Sequence, residues 1–338
     1  MLSRRANLEI LYDNKNISTY LAKYLDTFSY TDHASGKADD LQITLEDRAG
    51  LWRGDWLPDK GAVLKAALVT ENFYEEGKTE KLPLGIFEVD EIESTGPPSR
   101  VTVKAVSVPV STSLRGEEKT RAWEKTRLYL IAQDIAAGAG LEVFYDTEED
   151  ISYDRVDQTQ QSDLSFLLKL CEDAGLSLKV TDKQIVIFDD AAYEKLEPVM
   201  TIKKDVALVK NYSFQSSTRE LYSSCRIDYH SPKNRKSFSY TYTPPKALPT
   251  GKVLVINERV TTLAEAQRLA KKRLRQKNKD EIKASFTLMG DLKLVAGVTV
   301  RVEGYGIFDG KYFVSEASHQ AGSAYTVKID LRKVLEGY

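Results

Sequence analysis

The hydrophobic and polar positions of the chain alternate with a period of two over most of its first and last thirds. Leu41–Leu45 alternates with polar neighbours, and Tyr325–Arg332 is the most regular such stretch. This pattern is typical of strands that bury one face. Between about residues 113 and 200 the period becomes helical, in two units that each run helix, glycine, strand. The pattern predicts a mainly β chain with an α/β insert, which is an α+β fold.

Three helices have recognisable ends in the sequence. Thr126 and Ser162 are candidate N-caps of the two helices in the insert, and Gly175 is a candidate stop for the second. A third helix is predicted at about residues 262–278, because Thr262 is followed three positions later by a glutamate, which is capping-box spacing.

One strand pattern occurs twice. Phe87–Glu91 is followed by Val101–Lys104, and Tyr312–Glu316 is followed by Tyr325–Lys328. A glycine leads the strand that precedes each copy: Gly61 and Gly297. A chain with a similar β module near each end presents two similar surfaces, which is a feature of assembly rather than of catalysis.

These patterns predict three domains. Residues 1–112 and 204–338 are expected to form antiparallel β domains, either barrels or sandwiches, because they contain many short strands separated by turn residues. The helix at about 262–278 interrupts the second of these. Residues 113–203 are expected to form the small α/β domain between them.

The composition excludes several classes of protein. The 338 residues include 48 basic and 50 acidic side chains, a balance without general attraction for nucleic acid or anionic membranes. Cys171 and Cys225 are too few for a disulfide framework, and two free buried thiols are expected. Because the chain shows neither a signal-like N-terminus nor a run of about 18 apolar residues, we expect assembly in the bacterial cytoplasm.

Candidate catalytic and metal-binding groups are few. The three histidines are scattered along the chain: His33 is expected in a polar loop, His230 before a turn and His319 at the end of a strand. Neither cysteine has a recognisable nucleophile signature. The acidic stretch Asp146–Asp150 lacks the central glycine of a calcium loop. We therefore predict no catalytic residues, no metal and no cofactor.

The one concentrated basic feature lies on the third helix. Its exposed side chains are candidates for contact with a partner: Lys271, Lys272, Arg273, Arg275 and Lys277. Three interpretations remain open, namely a solvated face, a contact with an acidic partner, and nucleic-acid binding. No aromatic side chain is interleaved with the basic run, which disfavours the last.

Several stretches, in the same order and over nearly the whole chain, resemble the late control protein D family, the central hub proteins of contractile phage tails. The segments that carry the resemblance are Leu84–Asp90 with Ser94–Ser99, Ser113–Arg115 with Trp123, Asp157–Gln158 with Ser162–Leu167, Thr262–Arg268, and Gly290, Ala296–Gly297, Asp309–Tyr312 and His319. Two further segments look most like hubs of prophage-derived tail-like particles: Leu45–Arg48 and Trp56–Gly61. The N-terminal half of type VI secretion spike proteins is similar.

The resemblance implies a structural protein rather than an enzyme. In that family, two tube-like antiparallel β-barrel domains per chain assemble as a homotrimer, which gives a ring of six barrels between a hexameric tail tube and a trimeric spike. The implied partners are the tail tube protein, a central spike protein on a separate chain, other baseplate proteins and the tape-measure protein. No membrane and no specific nucleic acid is implied. The chain would end in the baseplate of a phage tail or of an R-type tail-like bacteriocin.

Two other functions compete with this interpretation. One is a cell-wall (peptidoglycan) hydrolase associated with a tail particle, with Glu148 or Asp150 as the carboxylates. The other is a nucleic-acid-binding module that uses the basic helix.

Overall fold

The protein is seen in a computed structural model that describes residues 2–107, 113–181, 183–205, 209–218, 221–231, 236–245, 251–257, 260 and 262–337. The strands are β1 (Arg5–Tyr12), β2 (Lys15–Asn16), β3 (Leu25–His33), β4 (Asp40–Glu46), β5 (Val63–Glu71), β6 (Thr79–Thr95), β7 (Arg100–Val106), β8 (Glu118–Arg127), β9 (Glu142–Asp146), β10 (Ser152–Ser162), β11 (Ser177–Val180), β12 (Gln184–Phe188), β13 (Met200–Lys203), β14 (Val209–Ser216), β15 (Tyr222–Ser231), β16 (Lys236–Tyr242), β17 (Lys252–Ile256), β18 (Ile282–Met289), β19 (Thr299–Glu303), β20 (Gly310–Ala321) and β21 (Thr326–Lys333). The helices are α1 (Ser18–Leu21), α2 (Ser113–Gly116), α3 (Leu128–Gly138), α4 (Asp163–Ala174), α5 (Asp190–Tyr193) and α6 (Leu263–Asn278). A 3₁₀ turn covers Gly306–Phe308.

Thirteen strands form one large sheet. Its pairing path runs β14-β18-β21-β20-β3-β4-β7-β6-β5-β1-β2, and β19 and β13 extend from β20 beside this path. Alternating strand residues bury one face of this sheet in a single hydrophobic core that includes Ile10, Phe87, Phe286 and Val314. The predicted mainly β fold is confirmed, but the path is open, and no closed barrel is found in the described part of the chain.

The large sheet contains one strand arrangement twice. We call β1, β3, β4, β5, β6 and β7 the N-module, and β13, β14, β18, β19, β20 and β21 the C-module. Numbered along the chain within each module, the strands of both pair in the order 2-3-6-5-4-1. One pair differs in direction: β1 is antiparallel to β5, whereas β13 is parallel to β19.

The two modules also share two of their irregularities, although the register shift of β5·β6 between Ala66 and Ala67 has no counterpart in β19·β20. In the N-module the β6·β7 register shifts between Val89 and Glu91, and in the C-module the β20·β21 register shifts between Val314 and Glu316. A β-bulge is a specific feature of a strand pair, so its recurrence at the same place indicates equivalent strands. A second bulge recurs where strand 2 meets strand 3: between Leu25 and Thr27, and between Val209 and Asn211.

The glycines that precede the repeated strands make equivalent hydrogen bonds. Gly61 donates from its backbone N–H to the carbonyl of Val89 at 2.8 Å, and Gly297 donates to the carbonyl of Val314 at 2.9 Å. Both glycines have positive φ, 83° and 89°, a region that is costly for other residues. The repeat recognised in the sequence is therefore a repeat in the structure as well.

The structure corrects one part of the sequence alignment of the two copies. Val103 was aligned with Val327 from the local pattern, but the bulge-matched register makes Val103 equivalent to Ile329. A shift of two residues keeps every side chain on the same face of a strand. The alternation of polar and apolar residues could not distinguish the two alignments for that reason.

The α/β unit, consisting of α2–α4 and β8–β12, has its own core. Helices α3 and α4 pack on the three-stranded sheet β11-β12-β9, in which β12 and β9 are parallel. Helix α4 has the predicted ends: the Ser162 hydroxyl accepts from the N–H of Ser165 at 3.3 Å, and Gly175 adopts φ 70°. Helix α3 begins at Leu128, two residues after the predicted cap.

A third sheet, β16-β15-β17, packs on α6 around Cys225, Ile227 and Leu274. We call these four elements the α6 unit. The sequence interpretation placed these strands in the second β domain, but they pair only with one another among the described residues. At the start of α6, the Thr262 hydroxyl accepts from the N–H of Glu265 at 3.1 Å, as its spacing predicts.

We predict that Gly290→Ala destabilises the chain. A Cβ at this position would lie 1.9 Å from the Tyr325 ring, which is buried in the core of the large sheet. Overpacking of this kind costs about 1–3 kcal/mol or more. Urea unfolding followed by circular dichroism should show a lower free energy of unfolding. Gly138→Ala is the control, because its added Cβ would meet no atom within 4 Å; equal losses in the two variants would contradict the prediction.

Candidate functional site

The two modules are joined by a strand pair. Beyond its pairing with β19, strand β20 continues along the same edge and pairs antiparallel with β3, so that residues 316–321 lie opposite residues 33–28. The Ser318 and Thr31 hydroxyls approach to 3.5 Å across this pair. We call this strand pair the intrachain junction.

His319 lies buried in the junction. Its Nε2 is 2.9 Å from the Leu294 carbonyl, which can only accept, so Nε2 carries the proton. Its Nδ1 therefore accepts from the Tyr325 hydroxyl at 2.8 Å, and its ring stacks against Tyr30 of the other module. Burial lowers the pKa of His319 from its ordinary value of 6.5 to about 4, so the ring is neutral near pH 7.

His33, expected in a polar loop, is instead buried at the end of β3. Its Nδ1 lies 3.2 Å from a carboxylate oxygen of Glu316 on β20, and its Nε2 lies 3.6 Å from Asp40. The contact between His33 and Glu316 therefore lies at one end of the intrachain junction. His230 belongs to β15, and its side chain lies outside the described residues.

Several strand edges of the large sheet, including those of β2 and β13, have no strand beside them in the described part of the chain, and two of these edges matter for the repeat of the modules. One is the edge of β6 beyond Val89, where its backbone hydrogen bonds to β5 and to the residues just before β5 end; residues 91–95 are exposed there apart from the half-buried Ile92. The other is β14, which ends the pairing path and pairs with β18 alone. Unpaired edges of this kind offer rows of N–H and C=O groups to another strand. We call them the β6 edge and the β14 edge.

The β14 edge carries exposed aromatic surface. The Tyr212 side chain is 49% exposed and lies beside Phe214, and both rings contact Phe286 and Tyr305. An aromatic ring at the open edge of a sheet is typical of a surface that is buried on assembly.

A buried ion cluster fixes the remaining units to the C-module. Arg332 on β21 pairs with Glu194 and, at 2.8 Å, with Asp190 of α5, while Arg275 of α6 lies 2.7 Å from Glu194. Burial alone would raise the pKa of Asp190, but Arg332, Lys279 and Arg275 outweigh it and hold that pKa below its usual range. Asp190 is therefore ionised near pH 7, and the cluster joins α5, α6 and the large sheet.

A second ion cluster connects the α/β unit to the N-module. The Lys179 ammonium on β11 contacts Asp32 at the end of β3 and lies 3.1 Å from Asp39. Burial raises the pKa of Asp39 to about 6, although Lys179 opposes the shift. The Lys179 ammonium also donates a hydrogen bond to the His33 carbonyl at 2.9 Å. This bond connects the cluster to the intrachain junction.

The five residues of α6 that were predicted to contact a partner differ in burial and in their ion-pair partners. Lys272 lies near Glu149 and Asp189, and Arg273 pairs with Asp173 at 2.7 Å. Arg275 is buried in the ion cluster, so it is not available to a partner. Lys271 and Lys277 are exposed, and contact of these two with a partner stays a prediction.

The acidic stretch supplies part of the counter-charge for α6. Glu149 lies within 3.7 Å of Lys272 and 3.5 Å of Arg268, and Asp150 accepts from the backbone N–H of Tyr129. These roles are structural. Within the described residues, no group of three side chains is placed to hold a metal ion, and no helix combines the length and apolar character needed to cross a membrane.

A mainly β fold with a duplicated module, open strand edges and ion clusters that serve packing is the architecture of an assembly protein. The family model of the phage tail baseplate hub (GPD) matches residues 86–325. The chain belongs to this family, whose members are structural baseplate hub proteins and not enzymes.

Individual relatives agree with this assignment. The probable baseplate hub protein of Escherichia phage 186 is 24% identical over 364 aligned positions, covering 94% of this chain and 90% of that protein. The probable baseplate hub protein of Escherichia phage P2 is 31% identical over 172 residues, covering 51% of this chain and 42% of that protein, so this match spans less than half of the relative's length. The crystal structure of a tail protein from Neisseria meningitidis MC58 shares the fold, with a TM-score of 0.71, 13% identity, and coverage of 97% of this chain and 96% of that one.

We predict that Glu194→Ala destabilises the chain strongly, because it leaves Arg332 and Arg275 buried with a deficit of negative charge. Removing one partner of a buried ion pair costs about 3–5 kcal/mol. Chemical unfolding at pH 7 should show this loss. Arg301→Met, on an exposed position of β19, is the control and should change stability little; a Glu194→Ala loss no larger than the control's would contradict the prediction.

We predict that His319 makes the stability of the chain depend on pH. Its folded pKa of about 4 lies below the unfolded value of 6.5, so the neutral ring stabilises the fold above pH 6.5 and this contribution falls as the pH drops towards 4. Asp39 titrates in the opposite sense over part of this range, because its folded pKa is raised.

The comparison with His319→Gln isolates the histidine, since Asp39 is present in both proteins. The free energy of unfolding of the wild type minus that of the variant should shrink between pH 7 and pH 4 by about 3 kcal/mol, at about 1.4 kcal/mol per pH unit. A difference that stays constant with pH would show that the ring is not held neutral.

Proposed function

We propose that this chain is the central hub of the baseplate of a contractile phage tail or of a tail-like bacteriocin, and that three copies form a closed ring. In this proposal the ring joins the hexameric tail tube to the trimeric central spike. Other baseplate proteins and the tape-measure protein contact its periphery, with Lys271 and Lys277 as candidate contacts. The chain assembles in the cytoplasm and then remains in the baseplate.

The observation that carries the proposal is the repeated strand order with its matching bulges. Three copies of a chain with two equivalent modules present six similar surfaces, spaced by about 60° around the axis of a closed ring. A hexameric tube can contact all six of these surfaces. The α/β unit and the α6 unit occur once per chain, so the same ring is three-fold on the side that faces the trimeric spike.

The domains of the proposal follow the sequence interpretation with one change. The N-module, within residues 1–112, and the C-module, within 204–338, each act as a tube-like β-barrel domain of the ring, and 113–203 lie outside it. Strand β13 (Met200–Lys203) belongs with the C-module, since it pairs with β19.

The test is the symmetry of the assembled hub. The full chain is co-expressed with the tube and spike proteins of its own tail, and the complex is imaged by electron cryomicroscopy. We expect three copies in a ring, with six similar β modules facing the tube. A complex with any other number of copies, or with modules of one kind only facing the tube, would contradict the proposal.

A further inference from the structure

We propose that neighbouring copies of this chain are joined by an antiparallel strand pair between the β6 edge of one copy and the β14 edge of the next, in the register of the intrachain junction. The inference deepens the proposed ring and rests on it. The structure contains the pairing once within the chain, and the repeat of the modules specifies its second occurrence between chains.

The edge of strand 5 beyond its bulge is paired in one module and open in the other within the described part of the chain. In the C-module, strand 5 (β20) pairs with strand 4 through residues 310–313, and beyond its bulge the same edge pairs with β3, strand 2 of the N-module. In the N-module, strand 5 (β6) pairs with strand 4 through residues 79–88, and beyond its bulge no described strand lies along that edge. The strand that corresponds to β3 is β14, whose outer edge likewise has no strand beside it among the described residues. Both halves of a second junction are therefore present in each chain.

The register follows from the two shared bulges. The bulge of strand 5 makes Glu91 equivalent to Glu316, so two residues further on Glu93 is equivalent to Ser318. The bulge of strand 2 makes Asn211 equivalent to Thr27, so four residues further on Gln215 is equivalent to Thr31. Ser318 and Thr31 are opposite one another in the intrachain junction. The pairs expected between copies are Ile92 with Ser216, Glu93 with Gln215, Ser94 with Phe214, Thr95 with Ser213 and Gly96 with Tyr212.

Burial of the equivalent side chains supports this pairing. Phe28 and Tyr30 of β3, which lie opposite Ala321 and His319 of β20, are 2% and 6% exposed. Their equivalents on β14 are Tyr212, which is 49% exposed, and the half-buried Phe214. The β6 edge would place Ser94 against Phe214, and the turn that begins at Gly96 against Tyr212. The pairing thus buries the exposed Tyr212 ring, whose equivalent Phe28 is already buried.

The charges of the two edges are also compatible. The β6 edge carries Glu91 and Glu93, whereas β14 carries no acidic side chain. In the expected register Glu93 lies beside Gln215, and Lys283 of β18 lies on the far side of Gln215, directly opposite it. Like charges facing each other across a strand pair would destabilise it, and this arrangement avoids them.

Another copy of the chain is the occupant that these observations favour. The β6 edge and the β14 edge are different surfaces, so each copy uses one edge towards each neighbour, which is a head-to-tail contact. Such contacts build a ring when the rotation closes. Open edges without a partner would also promote aggregation, which gives the pairing a protective role.

Disulfide cross-linking tests the register. In the double variant Glu93→Cys with Gln215→Cys, the Cα atoms of the two cysteines in neighbouring copies should lie about 4.5–5.5 Å apart, which is within the Cα–Cα range of a disulfide. In the control Glu93→Cys with Ser213→Cys, the second cysteine lies on the same face of β14, two residues out of register, where the separation is about 7–8 Å. The native Cys171 and Cys225 are buried.

The variants are oxidised within the complex with tube and spike and run on a non-reducing gel. We expect the Glu93→Cys, Gln215→Cys protein to form covalent trimers, and the control and both single variants to remain almost entirely uncross-linked, with at least a tenfold difference in yield.

Each other outcome bears on a separate part of the argument. Three copies by microscopy without this cross-link would overturn the strand pairing and leave the proposed function intact. Cross-linking into open chains of more than three copies would support the strand pairing and contradict the closed trimer. A control that cross-links equally would overturn the register, and the absence of both trimer and cross-link would overturn both proposals.

Discussion

The strand pair between β20 and β3 is the interaction on which the rest of the architecture depends. Without it, the large sheet would separate into a seven-stranded sheet and a six-stranded sheet connected by the α/β unit. With it, the two modules share one sheet and one hydrophobic core. His319 is central to this pairing, because it is buried between Tyr30 of one module and Tyr325 of the other and satisfies both of its ring nitrogens there. A neutral, fully hydrogen-bonded histidine adds a specific geometry to a contact that apolar packing alone would leave less defined.

The two ion clusters build outward from this sheet. Lys179 reaches the N-module close to the junction, and Arg332 reaches Asp190 and Glu194 from the C-module. Buried ion pairs contribute little net stability compared with apolar packing, but they are costly to separate. Their effect here is to make the orientation of the once-per-chain units depend on the repeated sheet. The α/β unit and the α6 unit are thereby held in a defined position relative to the two repeated modules.

Local chemistry made part of the structure predictable from the sequence. The ends of α4 depend on Ser162 and Gly175, and the start of α6 depends on Thr262, so neighbouring residues determine all three. The duplicated β pattern was visible because strand 5 of each module carries the same apolar spacing around its bulge. The register of strand 6 could not be recognised in the sequence, because a slip of two residues preserves the alternating pattern. Only the pairing of strand 6 with its neighbour excludes such a slip.

Long-range pairing explains the features that the sequence could not indicate. The basic run on α6 looked like a surface for a partner because its counter-charges lie far away in the chain; Arg273 pairs with Asp173, 100 residues earlier. His33 looked like a loop residue because β20, which buries it beside Glu316, is remote in sequence. The open strand edges escaped sequence analysis for the same reason. A strand has an open edge when no other strand lies beside it, and this depends on the order of all the strands in the sheet.

The differences between the modules are as informative as their similarities. Strands 2 to 6 correspond closely, while strand 1 runs antiparallel in the N-module and parallel in the C-module. Near β1 the N-module has an apolar cavity of about 360 Å³ lined by Trp52, Trp56 and Leu57, whereas the C-module carries the Arg332 cluster. Divergence thus lies at strand 1 and in the connections, and the strands that would form the ring are conserved between the copies. This is the distribution expected if the shared strands face a six-fold partner and the divergent parts face a three-fold one.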